Sequence, residues 1–233
     1  MEASFCKRAF DVLFAVLFLL VFSPIYVITA VAIVICSPGS PLYKAQRVGK
    51  NGKPFTCYKF RSMRVDSGRV RLTTLRNDDR IFPFGKLIRK TKIDEMPQAF
   101  NILLGDMSVV GPRPEDLENA DRIYQGKYRR ILEAKPGLTS PASLYDFTYG
   151  EKIESEEVYE REFLPDKLEL ELYYVEHSGF WYDIKLILKT AGTVLLTAFG
   201  KEHFKQPPEL RVILQEREKA AVSDQKESAA AAG

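Results

Sequence analysis

The chain has 233 residues, 45% of them hydrophobic and 28% charged, with a formal net charge of +3. So small an excess is too little to imply nucleic acid as a partner, and none is expected, while the length holds one compact domain beside any membrane segment. Cys6, Cys36 and Cys57 are odd in number and lack ligand spacing, while His177 and His203 stand alone, so reduced thiols and packed or solvated imidazoles are expected rather than a metal centre.

From the N-terminus, Val12 to Cys36 runs for twenty-five residues without a charge. Roughly 20 residues cross a bilayer, but Ser23-Pro24 falls near the middle, where proline removes a backbone donor and clashes with the preceding turn. A break or sharp kink is expected there. Lys7 and Arg8 precede the run, and Lys44, Arg47, Lys50 and Lys53 follow it. Cations at both ends place both ends on the cytoplasmic side, so the segment reads as re-entrant: it enters one leaflet and turns at Ser23-Pro24, and Ser23, nearby cations or water satisfy the freed carbonyls. A kinked but complete transmembrane helix is the competing reading. A cleaved signal fits poorly, because the apolar part is too long and Ser37-Pro38-Gly39-Ser40-Pro41 interrupts any cleavage pattern, so the segment reads as retained.

A short basic loop follows, then Phe55 to Met63 alternates like a strand, with Lys59 and Arg61 on one face where they could enter a phosphate site. Asp66 to Asp79 reads as a polar loop. Phe84 to Lys90 reads as a short amphipathic helix that turns Leu87 and Ile88 toward a membrane surface. Thr91, followed three residues on by Asp94, resembles a capping box opening a helix with Met96, Phe100, Leu103 and Leu104 on its apolar face. Asp94 would then lie in a helix's first turn, where the dipole and Lys86, Arg89, Lys90 and Lys92 keep its carboxylate ionised. Shortly after comes Gly111-Pro112-Arg113-Pro114, in which two prolines hold one guanidinium of the kind that binds phosphate in bidentate fashion. Taken alone, the Asp94-Glu95 pair could equally be complementing a helix dipole.

Further on, Arg122 to Leu132 reads as a helix ending before Pro136-Gly137, and Pro141 marks an irregular stretch. Glu156 to Val175 is helix-favouring but interrupted at Pro165. Phe180 to Phe199 is an amphipathic helix carrying Trp181, Ile184, Ile187, Leu188 and Leu195, packed on the core or lying at an interface. Gln215 to Gly233 offers little core and reads as a helical extension fading into disorder. Cations cluster from Lys44 to Lys92, which suits anionic headgroups or phosphate substrates, whereas Glu151 to Glu162 is acidic. The expected fold is α+β, predominantly helical with a short β element. It divides into a membrane segment at 1–38, a catalytic domain at 39–204 and an extension at 205–233.

Several motifs stand in order: the Ser-Pro-broken apolar segment, Tyr58-Lys59-Phe60-Arg61-Ser62-Met63, Asp94-Glu95, Gly105-Asp106-Met107-Ser108 and Gly111-Pro112-Arg113-Pro114. Together they resemble the bacterial sugar transferase family of monotopic phosphoglycosyl transferases, in its small, catalytic-domain-only form, over roughly residues 5 to 200. The resemblance implies an enzyme that transfers a phospho-sugar from a UDP-sugar to polyprenol phosphate, usually undecaprenyl phosphate, and releases UMP at the cytoplasmic face of the bacterial inner membrane. It implies Asp94 as nucleophile through a covalent phospho-sugar intermediate, with Glu95 beside it, and a Mg2+ ion near Asp94 and Glu95. Lys59, Arg89 and Arg113 are the candidates for phosphoryl oxygens. Where many members continue Gly-Leu-Thr with a Gly-Trp-Ala-Gln-like stretch, this chain reads Ser140-Pro141-Ala142-Ser143-Leu144-Tyr145-Asp146, so the sugar is not assigned. Homo-oligomerisation is left open. The rival function is a noncatalytic membrane protein that binds lipid phosphate or nucleotide-sugar or assists assembly, for which the two carboxylates would be dispensable.

Overall fold

A computed structural model describes residues 5–64, 80–153 and 155–231. The chain is mostly helical, with two small sheets and one long apolar N-terminal helix. That helix, α1 (Phe5–Cys36), runs unbroken through Pro24. Proline at this position leaves the Leu20 carbonyl without its usual N–H donor, and the Ser23 hydroxyl donates to that carbonyl at 2.9 Å. The expected interruption is therefore absent from the helix, because the residue before the proline supplies the missing bond.

One face of α1 seats on the rest of the molecule along almost its whole length. Asp11, Ala15, Thr29 and Ile33 are buried, and Phe18, Phe22, Ile25 and Tyr26 pack on a cluster formed with Phe60, Phe82, Ile88 and Met96. The spacing of three and four keeps these residues on one side of a 3.6-residue helix. Opposite them Leu13, Leu17, Leu20, Val21, Val27, Ile28 and Val31 are exposed.

The stretch after α1 is more ordered than a basic loop. β1 (Leu42–Val48) and β2 (Pro54–Phe60) form an antiparallel hairpin in which Ala45 faces Cys57, and both side chains are buried. The turn places Asn51 at φ 58° and Gly52 at φ 75°, the left-handed geometry that Asn and Gly tolerate. Arg61 lies beyond the end of β2. Its guanidinium donates to the hydroxyl and carbonyl of Ser37, so it fastens the end of α1 instead of joining Lys59. The polar loop expected at Asp66 to Asp79 lies outside the described residues.

α2 (Pro83–Lys90) forms as expected, with Leu87 exposed but Ile88 buried against α1. Thr91 is not an N-cap. It follows the last turn of α2, where its hydroxyl donates back to the carbonyls of Leu87 and Ile88. The next helix, α3 (Gln98–Leu104), starts after Pro97, and Ile93–Glu95 forms a single 3-10 turn between the two. The capping-box spacing was met by a threonine that closes one helix instead of opening another.

β3 (Ser108–Val110) pairs in parallel with β4 (Gly137–Thr139), and the chain between them holds α4 (Leu117–Ile123) and a 3-10 segment, Gly126–Glu133, in place of one helix from Arg122 to Leu132. α5 (Pro141–Thr148) is capped by the Ser140 hydroxyl, which accepts from Ser143 N. α6 (Glu156–Val158) passes through a π-helical turn, Tyr159–Phe163, into α7 (Leu164–His177). Pro165 therefore widens the helix just upstream rather than interrupting it, because at the start of α7 its missing N–H costs little. α8 (Phe180–Ala198) turns Asp183, Leu186 and Thr193 inward, while Trp181, Leu188 and Leu195 of the expected stripe face out. α9 (Pro208–Ala231) docks through buried Leu210 and Ile213.

The start of α1 is bolted to the core by polar groups. Asp11 is 2% exposed and accepts from Ser108 Oγ at 3.0 Å and Val109 N at 2.9 Å. Lys7 pairs with Asp183, and Arg8 donates to the Ile102 and Leu103 carbonyls at 2.5 and 2.8 Å, so it caps the C-terminus of α3.

Candidate active site

The acidic pair sits where the 3-10 turn meets the β-hairpin and the Gly111–Pro114 loop. Lys92 precedes it in the left-handed conformation at φ 55°, a strained geometry for a lysine that turns the chain sharply out of α2. Asp94 and Glu95 are then carried inward, at 7% and 6% exposure.

Glu95 is the hub. Its Oε1 lies 2.8 Å from Arg113 Nη2, 3.3 Å from Lys59 Nζ and 4.0 Å from Lys92 Nζ, and its Oε2 lies 3.5 Å from Arg113 Nη1. Burial works against this carboxylate, but Arg113, Lys92 and Lys59 outweigh it and hold Glu95 well below the usual carboxylate range. The Glu95 charge in turn lifts Arg113 well above its ordinary value. Asp94 differs: its Oδ1 is buried and has no hydrogen-bond partner. Burial, followed by the adjacent Glu95 charge, pushes Asp94 up against the opposing pull of Lys92, Lys59 and Arg89. The sequence expectation that the dipole and cations dominate is thus reversed, because the turn is a single buried 3-10 turn and not the open end of a helix. The two neighbouring carboxyls are driven apart, one firmly ionised and one more basic, as in sites that give paired acids different roles.

Each cation reaches the site by a traceable route. Lys59 comes from β2, which is tied to α3 by the fully buried Asn101: its amide accepts from Tyr58 N at 3.0 Å and donates to Thr56 O at 2.7 Å. Arg113 stands on a loop locked to the strand opposite. Gly111 N donates to Thr139 O, Gly137 N donates to Pro112 O, and a Cβ on Gly137 would lie 2.0 Å from Gly111 N. Only two glycines allow this approach. Arg113 Nε also faces Asp146 Oδ2 at 3.6 Å, and its backbone N–H donates to Glu171 Oε1 at 2.8 Å. Arg89, half-buried at the end of α2, adds positive potential at Asp94 without a direct ion pair to it.

Asp94, Glu95, Lys59 and Arg113 thus converge as the sequence suggested, with Arg89 beside them. Sequence reasoning missed Asp146 and Glu171. Glu171 sits in the alternating Leu168-Glu169-Leu170-Glu171-Leu172 of α7, which looks like a solvated face, yet it is 2% exposed and burial raises it to about 8. Among the described residues, no group of three or more His, Cys, Asp or Glu is arranged to hold a metal.

The family model for bacterial sugar transferases matches residues 2–197. This chain belongs to the bacterial sugar transferase family. It is 37% identical over 202 residues to the UDP-N-acetylgalactosamine-undecaprenyl-phosphate N-acetylgalactosaminephosphotransferase of Aeromonas hydrophila, covering 84% of this chain and 45% of that protein. Against the UDP-glucose:undecaprenyl-phosphate glucose-1-phosphate transferases of Escherichia coli and Caulobacter vibrioides, identity is 35% over 192 residues and 34% over 195. Those alignments cover 79% and 82% of this chain, and 39% and 70% of the relatives. The chain thus spans less than half the length of the Aeromonas and Escherichia proteins. All the site residues named above fall within the matched region.

Proposed function

We infer that the chain is a phosphoglycosyl transferase that moves a phospho-sugar from a UDP-sugar to polyprenol phosphate and releases UMP, the first step in assembling a membrane glycoconjugate. The observation that carries this reading is the buried, unpartnered Oδ1 of Asp94 among Lys92, Lys59 and Arg89, beside a Glu95 already saturated by Arg113 and Lys59. In the first step an Asp94 oxygen bonds to the sugar-bearing phosphorus and the bond to UMP breaks. In the second, an oxygen of polyprenol phosphate bonds to that phosphorus and Asp94 leaves as a free carboxylate. Lys59 and Arg113 offset the charge that develops on the phosphoryl oxygens, with Glu95 holding both in place.

The donor set suits a hard cation such as Mg2+ only sparsely. Mg2+ is commonly held by one or two carboxylates plus substrate phosphates, and Asp94 has a free oxygen to offer, whereas Glu95 would have to give up its cations. Bound there with the diphosphate, the ion would neutralise charge on the leaving UMP.

Attachment to one leaflet, at the cytoplasmic face of the inner membrane, completes the reading. A 32-residue helix is about 48 Å long, against about 30 Å of hydrocarbon. Both ends of α1 are fastened to one body, by Lys7, Arg8 and Asp11 at the start and by Arg61 on Ser37 just past the end, while its outer face is apolar. Cys6 and Cys36 are exposed near its two ends, and Cys57 is buried. An impermeant maleimide should therefore label both from the cytoplasmic side; labelling of the two from opposite sides would sink the one-leaflet reading.

The catalytic reading is tested by incubating the protein with magnesium and a panel of UDP-sugars without lipid. A stoichiometric burst of UMP with a phospho-sugar mass adduct is expected, both lost in Asp94→Asn. Turnover of Asp94→Asn at the parent rate would remove Asp94 as nucleophile.

A further inference from the structure

Between α5 and α8 lies a cleft of about 510 Å³ that the reaction above does not use. Its polar lining is Thr148, Thr193, Lys189, Lys201, His203 and Lys205, with no carboxylate. None of these three lysines makes an ion pair among the described residues, and Lys201 instead stands over the Phe204 ring at 5.2 Å.

The cationic wall is built by a strap between α8 and α9. Two donors from the α5 side tie it down, Tyr149 Oη to Phe204 O and Lys152 Nζ to Glu202 O, and Lys201 together with the consecutive His203, Phe204 and Lys205 lines the cleft. The opposite wall is α8, whose neighbouring Leu188, Leu195, Leu196 and Phe199 are exposed and apolar. The strap lies beyond residue 197, where the family match ends.

An unneutralised cationic cavity beside an exposed apolar helix face selects an anion whose remainder is apolar. We propose that this cleft binds the phosphate of a lipid headgroup, as a site separate from Asp94. Its size falls within the range of ordinary ligand sites, roughly 300–1,000 Å³. The phosphate could belong to a bilayer phospholipid or to a polyprenol phosphate. The inference rests on the membrane seating proposed above.

The test uses the full chain in nanodiscs of zwitterionic lipid. The signal is energy transfer from Trp181, the single tryptophan, which lies on α8 eight residues before Lys189. The probes are a dansyl-labelled phosphatidylglycerol, a dansyl-labelled short polyprenol phosphate and a dansyl-labelled zwitterionic lipid. At up to about five-fold per exposed cation–anion pair, Lys201→Gln with Lys205→Gln should weaken binding of at least one anionic probe by up to roughly thirty-fold and leave the zwitterionic background unchanged. Which anionic probe responds identifies the source of the phosphate. UMP release without lipid should stay at the parent level in that variant, so a failed transferase reading would show separately, as no UMP from the parent protein. Unchanged affinity for both anionic probes would overturn the site. So would an equal loss in the control Lys44→Gln with Lys53→Gln, or inorganic phosphate binding as tightly as the lipid probes.

Discussion

Replacing Asp11 by alanine removes the acceptor that joins α1 to β3. Ser108 Oγ and Val109 N, donating at 3.0 and 2.9 Å, would be left without it in a region where Asp11 itself is only 2% exposed. A stranded buried donor costs about 1–3 kcal/mol, so Asp11→Ala should lose about 4 kcal/mol in all. For a chain of this size that corresponds to a fall in melting temperature of roughly 8–16 °C. Asp11→Asn keeps an oxygen at the same place and forfeits only the extra strength of a charged acceptor, about 1 kcal/mol. Thermal unfolding in one detergent, followed by circular dichroism, separates the three proteins. If Asp11→Ala melts within about 2 °C of the parent, or Asp11→Asn falls as far as Asp11→Ala, the acceptor is not what holds α1 to the domain.

Four further outcomes follow from the site. Gly137→Ala puts a Cβ 2.0 Å from Gly111 N, and backbone cannot yield as a side chain does; a loss of about 3 kcal/mol or more, with UMP release falling as Arg113 shifts, is expected from denaturation and activity assays. Arg113→Lys trades a two-pronged contact with Glu95 for a single point charge and should lower kcat/KM about 10²–10³-fold with the fold intact, so parent-like kinetics would contradict its role. Because burial and Glu95 raise Asp94 above its ordinary 3.8 and the nucleophile must be ionised, UMP release should fall as pH drops through that raised value; a rate flat down to the ordinary aspartate range would refute it. Glu171 is raised from 4.5 to about 8, so the folded state holds a proton that the unfolded state releases. Its contribution is full below 4.5 and is lost as pH rises through about 8, worth at most about 5 kcal/mol, and Glu171→Gln should flatten that decline in denaturant titrations at pH 6 and 8.5.

Much of the site was legible because it depends on short-range chemistry. Asp94 and Glu95 are adjacent, Gly111 to Pro114 is contiguous, and Ser23 precedes Pro24, so the hydroxyl that rescues the Leu20 carbonyl could be expected from two letters. The outward stripe of α8 was visible as periodicity, though not which side it faced. The apolar run was read from Val12, one residue past the aspartate that anchors it, because an acid at the head of an apolar helix looks like its boundary until β3 is brought against it. Lys7 and Arg8 read as flanking cations and prove to be clamps on α8 and α3. Arg61 alternates with Lys59 on paper but leaves it in space, because the strand ends at Phe60 and the end of α1 offers Ser37.

The sequence by itself determined the apolar helix, the acid pair and the cations near it, since each follows from residue type and spacing along a few turns of chain. Only the tertiary structure decided which carboxyl is which. Glu95 is saturated by a lysine from β2 and an arginine from the loop after β3, thirty-six residues before it and eighteen after, while Asp94 keeps a buried oxygen free. Charge in a buried place is set by what the fold brings within a few ångströms, and spacing along the chain carries no record of that distance.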